Sequence, residues 1–186
     1  MPFKTFNIGD ILTASDVNAY LMKQAVIVCT SGTRPGVPAE GMTIYETDTD
    51  NMVTYDGTGW RRYNARPLTA TVATSEGTAT TSYTDLATVG PTISAFTTGD
   101  SVRVTVTANI SNSGANASRM SVTISGATTL AADDTRALEV TGTSRMRCSM
   151  SMVLGITAGS NTFTAKYLAA AGTATFVNRV IEVEAV

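Results

Sequence analysis

The stretch SVRVTVTANI at 101–110 decides the fold class of this chain. Apolar residues occupy every second position, and mostly polar residues fill the positions between them. A period of two indicates a half-buried β-strand, because successive side chains of a strand point to opposite faces of the sheet. Val102, Val104 and Val106 are therefore predicted to face a core, together with Ala108 and Ile110.

Strand candidates with similar patterning lie on both sides of this stretch, and Gly, Asn and Asp residues separate them as turns. They are LTATVATS (68–75), SYTDLATV (82–89), MSVTIS (120–125), TRALEV (135–140), RMRCSMSMVLGI (145–156), NTFTAKYLA (161–169) and TFVNRVIEVEA (175–185). About eight strands of this kind predict a mainly β protein with an antiparallel, jelly-roll-like β-sandwich. An up-and-down barrel is the alternative.

One strand candidate, 145–156, carries a methionine-rich stripe. Its inward positions are Met146, Cys148, Met150, Met152, Leu154 and Ile156. Such a stripe is expected to be core, since methionine fills irregular gaps between packed elements. The chain has two cysteines, Cys29 and Cys148. We expect both to be buried free thiols, because a cytoplasmic origin disfavours disulfides.

The first part of the chain has a different pattern, and NARPL (64–68) marks the boundary between them. We therefore predict an N-terminal module at 1–66 and the sandwich at 67–186. In TASDVNAYLMKQ (13–24), Thr13 and Asp16 have the spacing of a capping box that begins a helix. Val17, Tyr20 and Leu21 would form one apolar stripe on that helix.

After the helix, the segments AVIVC (25–29), MTIYETD (42–48) and NMVTYD (51–56) and the residues from Trp60 onward predict a small β-meander. Two or three short strands rarely stand alone, so apolar residues are expected to stay partly exposed. Those residues are Met42, Ile44, Tyr45, Val53, Tyr55 and Trp60. We expect an oligomer or docking interface, which would contain Val17, Leu21, Tyr45, Tyr55, Trp60 and Tyr63.

The sequence lacks the usual residues of catalysis. It contains no histidine, which excludes Ser-His-Asp triads and histidine-based zinc sites. The Asp groups at 48–56 and 133–134 could in principle ligate Ca²⁺, but turn formation is the favoured interpretation. Glu182 and Glu184 share one strand face and are interpreted as solvated. We expect no enzymatic activity, no cofactor and no metal.

Charge and hydropathy limit the partners. Charged residues make up only 15% of the chain and the net charge is −2, so the basic stripe of a nucleic-acid-binding protein is missing. No apolar run approaches the length of a membrane span, and the N-terminus lacks the apolar core of a secretory signal. We expect no nucleic acid, no membrane insertion and synthesis in a cytoplasm.

The longest polar turn of the predicted sandwich is SNSGANAS (111–118). Turns of this composition are usually solvated connections between strands. A second interpretation is a surface contact loop, and its binding residues would then be Asn112, Asn116 and Arg119.

The N-terminal module resembles one found in many tail-associated proteins of tailed bacteriophages. The segments that carry the resemblance are GDILTASDVNAYLMKQAV (9–26) and GTRPGVPAEGMTIYETDTDNMVTYDG (32–57), followed by Trp60. The matching positions are Arg34, Pro35, Pro38, Gly41, Tyr45, Thr47, Asp48, Thr49, Tyr55, Asp56, Gly57 and Trp60. The resemblance covers about a third of the chain. It implies a virion structural protein, assembled in the host cytoplasm.

The resemblance leaves three functions open. In the first, the N-terminal module docks on the tail or baseplate, and the sandwich contacts the host surface, for example a glycan. The second function is a capsid decoration protein or head fibre. The third, a depolymerase, is disfavoured by the missing histidine. Compact phage β-domains are often trimers, and together with the exposed meander this leads us to predict a homotrimer around the N-terminal module.

Overall fold

The computed structural model describes residues 7–17, 26–62, 67–97 and 100–185. The chain folds as two separate units, Met1–Asn64 and Ala65–Val186. Within the described residues, no helix has the length and apolar character needed to cross a membrane.

The N-terminal unit begins with the predicted capping box. Helix α1 spans Ala14–Asp16, with Thr13 as its N-cap. The Asp16 backbone N–H donates to Thr13 Oγ1 at 3.1 Å, and the Thr13 N–H donates to Asp16 Oδ2 at 3.3 Å. The capping box is therefore confirmed. The remainder of the predicted helix, with Tyr20 and Leu21, lies outside the described residues.

A four-stranded sheet follows in the same unit, in the order β1-β2-β3-β4. Its strands are β1 (Ile27–Cys29), β2 (Thr43–Glu46), β3 (Asn51–Tyr55) and β4 (Trp60–Arg62). β1 runs parallel to β2, and the pairs β2–β3 and β3–β4 are antiparallel hairpins. The predicted meander is confirmed for β2 to β4, whereas the β1–β2 pair needs the long connection at 30–42 because parallel strands cannot be joined by a tight turn.

The second unit contains nine strands and a short 3-10 helix in its described residues. They are β5 (Leu68–Val72), β6 (Glu76–Thr78), β7 (Thr92–Thr97), β8 (Ser101–Asn112), β9 (Ala117–Gly126), the 3-10 helix (Asp134–Arg136), β10 (Leu138–Thr141), β11 (Met146–Gly155), β12 (Gly159–Ala169) and β13 (Ala174–Ala185). One sheet has the order β10-β9-β12-β7, and the other has the order β11-β8-β13-β5 with β6 also paired to β13.

The strand pairing is that of a jelly roll. Leaving β6 aside, the first strand pairs with the last, β5 with β13, and the pairs β7–β12, β8–β11 and β9–β10 follow inward along the chain. This is one long antiparallel hairpin rolled into two facing sheets. The predicted jelly-roll-like sandwich is confirmed. In the alternative, an up-and-down barrel, each strand would pair with the next in sequence, and β9–β10 is the one such pair among these described strands.

The core lies between the two sheets, as the alternation predicts. Val104, Val106, Ala108 and Ile110 on β8 are fully buried, and Val102 is 1% exposed. Their partners from the other sheet include Met120, Val122, Ile124, Phe163, Ala165 and Tyr167. In the methionine-rich stripe of β11, Leu154 and Ile156 are buried while Cys148, Met150 and Met152 are only partly buried. The prediction that Met146 is core is wrong, because it is 51% exposed at the end of an edge strand.

One strand prediction in the sandwich is wrong. Residues 82–89 form no strand and make a single β-bridge, between Thr84 and Tyr167. The strand of this region is β7 instead, which sequence reasoning missed. β7 presents Ile93 to the core and a small Ala95 behind it, so its apolar alternation is weak. The candidate at 135–140 is also shifted, since it begins in the 3-10 helix before β10.

Candidate docking and contact surfaces

The N-terminal sheet has one exposed apolar row. Register places Val28, Tyr45 and Met52 side by side on three adjacent strands, and hence on the same face. Val28 is 65% exposed and Met52 is 43% exposed, while Tyr45 is half-buried. The Tyr45 hydroxyl donates to Asp50 Oδ1 at 3.0 Å, and this bond to a carboxylate raises the pKa of Tyr45. We call Val28, Tyr45 and Met52 the apolar row.

The opposite face of this sheet holds the buried residues. Ile44 and Val53 are fully buried, so the prediction that they stay partly exposed is wrong. Glu46 beside them is 2% exposed, and its carboxylate forms an ion pair with Arg34. Thr49 Oγ1 donates to Glu46 at 2.8 Å, which satisfies a second lone pair of the carboxylate.

The aromatic residues Tyr55 and Trp60 belong to this second face. Their ring centroids are 5.5 Å apart, and the rings are tilted by 57°. The guanidinium carbon of Arg34 lies 6.0 Å from the Trp60 ring centroid, within the range of a cation–π contact. Arg34 therefore links the loop at 30–42 to both Glu46 and Trp60. A monomer of this unit can bury part of its aromatic surface by itself.

The predicted interface residues thus divide between two faces. Tyr45 lies on the exposed face, while Tyr55 and Trp60 are half-buried on the other. Val17 is half-buried at the C-cap of α1. Leu21 and Tyr63 lie outside the described residues. Sequence reasoning missed Val28, because a three-residue strand is too short to show which of its faces is exposed.

The aspartates of the N-terminal unit serve turns. Asp56 accepts the backbone N–H groups of Thr58 and Gly59 at 2.9 and 2.7 Å, and it pairs with Arg61 Nε at 2.7 Å. Arg61 and these N–H groups hold the pKa of Asp56 well below its usual value. Asp48 accepts the backbone N–H and the hydroxyl of Ser31, which lowers its pKa as well.

No metal-binding cluster is present in the part of the chain that the structure describes. No three or more His, Cys, Asp or Glu side chains there lie close enough to hold an ion. Cys29 and Cys148 are free thiols, half-buried rather than fully buried as expected.

The expected contact loop of the sandwich is built differently from its prediction. Asn112 is 4% exposed, so its assignment to a surface contact is wrong. Its amide group donates to Ser118 Oγ at 3.0 Å and to the Ala171 carbonyl at 3.1 Å. Its side-chain oxygen accepts the Gly114 N–H at 3.0 Å. The inward alternation of β8 continues through Asn112, and the polar composition of 111–118 conceals that continuation.

The other two predicted contact residues lie nearer the surface. Asn116 is half-buried. Arg119 is 23% exposed on β9, and it forms ion pairs with Asp134 at 2.9 Å and with Glu139 at 2.6 Å. The Tyr83 hydroxyl also donates to Asp134, at 2.9 Å. Burial and this carboxylate raise the pKa of Tyr83, so the phenol stays protonated. The charged groups of this cluster are already paired with one another.

A buried arginine is the main polar group inside the sandwich. β13 contains a register shift between Val177 and Val180, where Asn178 has a φ of 49°. This bulge turns Arg179 inward, and its side chain is fully buried. Arg179 pairs with Glu76 at 3.0 Å, and its guanidinium carbon lies 5.3 Å from the Tyr167 ring centroid.

Glu76 also connects this arginine to the segment before β7. Its carboxylate accepts the Thr88 hydroxyl at 2.5 Å, and Arg179 Nη2 donates to Thr74 Oγ1 at 3.1 Å. The Thr88 hydrogen bonds and the charge of Arg179 lower the pKa of Glu76. The burial pattern of β13 also marks the bulge. Phe176 and Ile181 are both fully buried, although their odd separation would place them on opposite faces of a regular strand.

Comparisons with known proteins give little further identification. No protein-family model matches the chain, and no curated protein matches its sequence. One similar solved structure is described as "Structure of infectious bursal disease virus Gx strain", with 16% sequence identity and a TM-score of 0.43. The match covers 79% of this chain and 36% of that chain, so this chain spans about a third of that protein. A TM-score below 0.5 does not establish a shared fold.

Proposed function

We propose that this chain is a structural protein of a tailed-phage virion. The observation that carries the proposal is the apolar row of the N-terminal unit. Val28 and Met52 are 65% and 43% exposed on either side of Tyr45, and contiguous exposed apolar side chains often mark an interaction site. That same unit contains the residue pattern that resembles the N-terminal module of phage tail-associated proteins. A docking function of the N-terminal unit accounts for both.

The first candidate role is tail-associated attachment. The N-terminal unit docks on the tail or baseplate as a homotrimer, and the sandwich is displayed toward the host. Three copies would present identical sandwich surfaces, so weak contacts to a host glycan would add through multivalency. The protein has no enzymatic activity and no cofactor in this proposal. It is located in the virion after assembly in the host cytoplasm.

A second candidate role is capsid decoration, as a shell protein or a head fibre. The charge pairing of the sandwich favours it. Arg103 pairs with Glu184 at 2.8 Å, and Lys166 pairs with Asp85 at 2.6 Å. Outward hydroxyls bond laterally across strands, as between Ser94 and Thr162 at 2.9 Å. Groups that already satisfy one another suit a passive protective surface better than a receptor site.

Immunogold labelling of intact virions tests the proposal and separates the two roles. Label at the tail tip or baseplate supports attachment, and label distributed over the head supports decoration. Label on neither, with the protein absent from purified particles by mass spectrometry, would refute a virion role altogether. For the attachment role, particles that lack the protein should also adsorb to host cells more slowly.

A further inference from the structure

The edge strand β11 is unlike the other edges of the sandwich. It has ten residues, and among the described strands it pairs with β8 alone, without a break in register. The other edge strands of the two sheets are shorter, with four residues in β10, five in β5, three in β6 and six in β7. Natural sheets usually keep edge strands short, because a long regular edge accepts another strand. β11 is the edge with room for a partner.

The hydrogen-bonding groups on the open side of β11 can be assigned. The Ile156 N–H donates to the Asp100 carbonyl at 2.8 Å, in the same register that pairs β11 with β8. In an antiparallel pair, alternate residues direct their N–H and C=O groups toward the same neighbour. The even-numbered residues of β11 therefore bond to β8, and the odd-numbered residues face the open side. They are Arg147, Ser149, Ser151, Val153 and Gly155.

The side chains of β11 also indicate an interaction surface. Val153 is 60% exposed and Met146 is 51% exposed, although both are apolar. Cys148, Met150 and Met152 are partly buried against the core, so the inward stripe of the strand is incompletely covered. The strand contains no carboxylate to repel or attract a second strand.

We propose that β11 pairs antiparallel with β11 of a second copy of this chain, with the two-fold axis at Met150. This register places Ser149 opposite Ser151 and Arg147 opposite Val153 in hydrogen-bonded pairs. The two-fold axis repeats each of these two pairs, so that four hydrogen-bonded pairs form. At two bonds a pair, they supply about eight inter-chain hydrogen bonds. The inward stripe becomes continuous, with Met146 opposite Leu154.

The side chains of β11 are compatible with one another in an antiparallel self-pair, which favours a second copy as the occupant. Arg147 has no ion-pair partner among the described residues, and it lies three residues from the axis. Antiparallel pairing then separates the two Arg147 residues by about 20 Å along the strands, so the copies do not repel each other. Each Arg147 instead covers the exposed Val153 of the other copy with its aliphatic stem. Hydroxyls meet hydroxyls at the Ser149 and Ser151 positions.

This contact goes beyond the proposed function and holds for either location on a virion. It uses the sandwich, whereas the proposed trimer uses the N-terminal unit. The two contacts are therefore separable by mutation. A β11 contact between copies of different trimers would link neighbouring assemblies laterally.

Disulfide trapping in the full-length chain tests the pairing and its register. Met150→Cys, in a Cys29→Ser and Cys148→Ser background, brings two thiols together at a non-hydrogen-bonded pair whose backbones approach to about 4.5 Å. Mild oxidation should give a covalent dimer on a non-reducing denaturing gel. Thr69→Cys in the same background, on the exposed surface of edge strand β5, is the matched control and should give none.

The unmodified Cys148 checks the register, because it lies opposite Met152 in this arrangement and should not form an inter-chain disulfide. If Met150→Cys is folded by circular dichroism but gives no more dimer than Thr69→Cys, the pairing is refuted. A strong dimer through Cys148 alone would refute the register.

A charge test distinguishes a second copy from any other partner. Val153→Glu places a carboxylate opposite Arg147 of the second copy at two symmetric positions, and Val153→Lys places an ammonium there. The dissociation constant of the β11 contact should fall about fivefold for Glu and rise about fivefold for Lys. It is measured by analytical ultracentrifugation. Equal effects of the two substitutions, or none, would overturn self-pairing.

Discussion

The two units of the chain use their apolar residues in opposite ways. In the described sandwich, valines, isoleucines and aromatic residues from two sheets bury one another, and more than twenty hydrophobic side chains are below the surface. In the described N-terminal unit, Ile44 and Val53 are the two buried hydrophobic residues, and Ile8, Ile11, Leu12, Val26, Val28, Val37 and Met52 are exposed. The sandwich therefore has a core of its own, whereas most large apolar residues of the described N-terminal unit are exposed, which is the basis of its proposed docking role.

The largest expected effect breaks the sandwich from inside. Arg179→Met leaves Glu76 without its buried cation, and we expect the sandwich to lose about 3 kcal/mol of unfolding free energy. The matched control is Arg103→Met, which removes an ion pair whose arginine is 48% exposed. The control substitution should lower the unfolding free energy of the sandwich by less than about 1 kcal/mol, since solvent screens the ion pair. Urea unfolding followed by far-UV circular dichroism measures both.

An equal loss of unfolding free energy in the two arginine variants would contradict the role of Arg179 as the buried connection between β13 and the segment before β7. The assembly of the N-terminal unit should be unchanged in both variants, because neither arginine belongs to that unit.

The next effect concerns assembly rather than folding. Met52→Ala truncates an exposed side chain of the apolar row, and we expect it to weaken the oligomer about tenfold, as expected when a contact residue of an interface is truncated. The urea midpoint of the sandwich should not change. Val89→Ala, at a 60% exposed position of the sandwich, is the control for losing apolar surface elsewhere. Light scattering across a dilution series measures the association.

An unchanged oligomer in Met52→Ala, or an equal loss in Val89→Ala, would show that assembly does not depend on the apolar row of the N-terminal unit.

The smallest expected effect is a difference in acid sensitivity. The pKa of Asp56 is lowered in the folded chain, chiefly by Arg61 and then by the turn N–H groups. Its stabilising contribution is therefore present at neutral pH and is lost as the pH falls below about 5. Asp56→Asn should destabilise the N-terminal unit at pH 7 and reduce its acid dependence. Trp60 is the one tryptophan of the chain, so its fluorescence reports on this unit.

Asp85→Asn is the control for that titration, since Asp85 lies in the sandwich and pairs with Lys166. It should leave the Trp60 signal unchanged at every pH. An acid dependence that is the same in wild type and Asp56→Asn would contradict the assignment to Asp56.

The sequence predicts the fold well where alternation is strong. β8 and the central part of β9 have large apolar residues at every second position, and burial of one face is sufficient to determine their inward sides. The capping box at Thr13 and Asp16 is equally local, because it depends on two side chains three residues apart. These features need no knowledge of the rest of the chain.

The rest depends on contacts that are distant in sequence. β7 has a weak alternation and is a strand because β12 pairs with it. Asn112 reads as a loop residue, but its amide is satisfied by Ser118 and by the Ala171 carbonyl, 59 residues away. Which face of β1 to β3 is open depends on the loop at 30–42, whose Arg34 covers the other face. Local patterns carry no information on such partners.

Hydrogen exchange of the full-length chain at two protein concentrations tests the central claim most directly. Sandwich peptides from β8 and β12 should stay protected at both concentrations, because their core is intramolecular. Peptides covering 43–62 should be protected in the concentrated sample and lose protection on dilution, because assembly stabilises the N-terminal unit. Protection that is retained in both units on dilution, or lost from both together, would contradict the account.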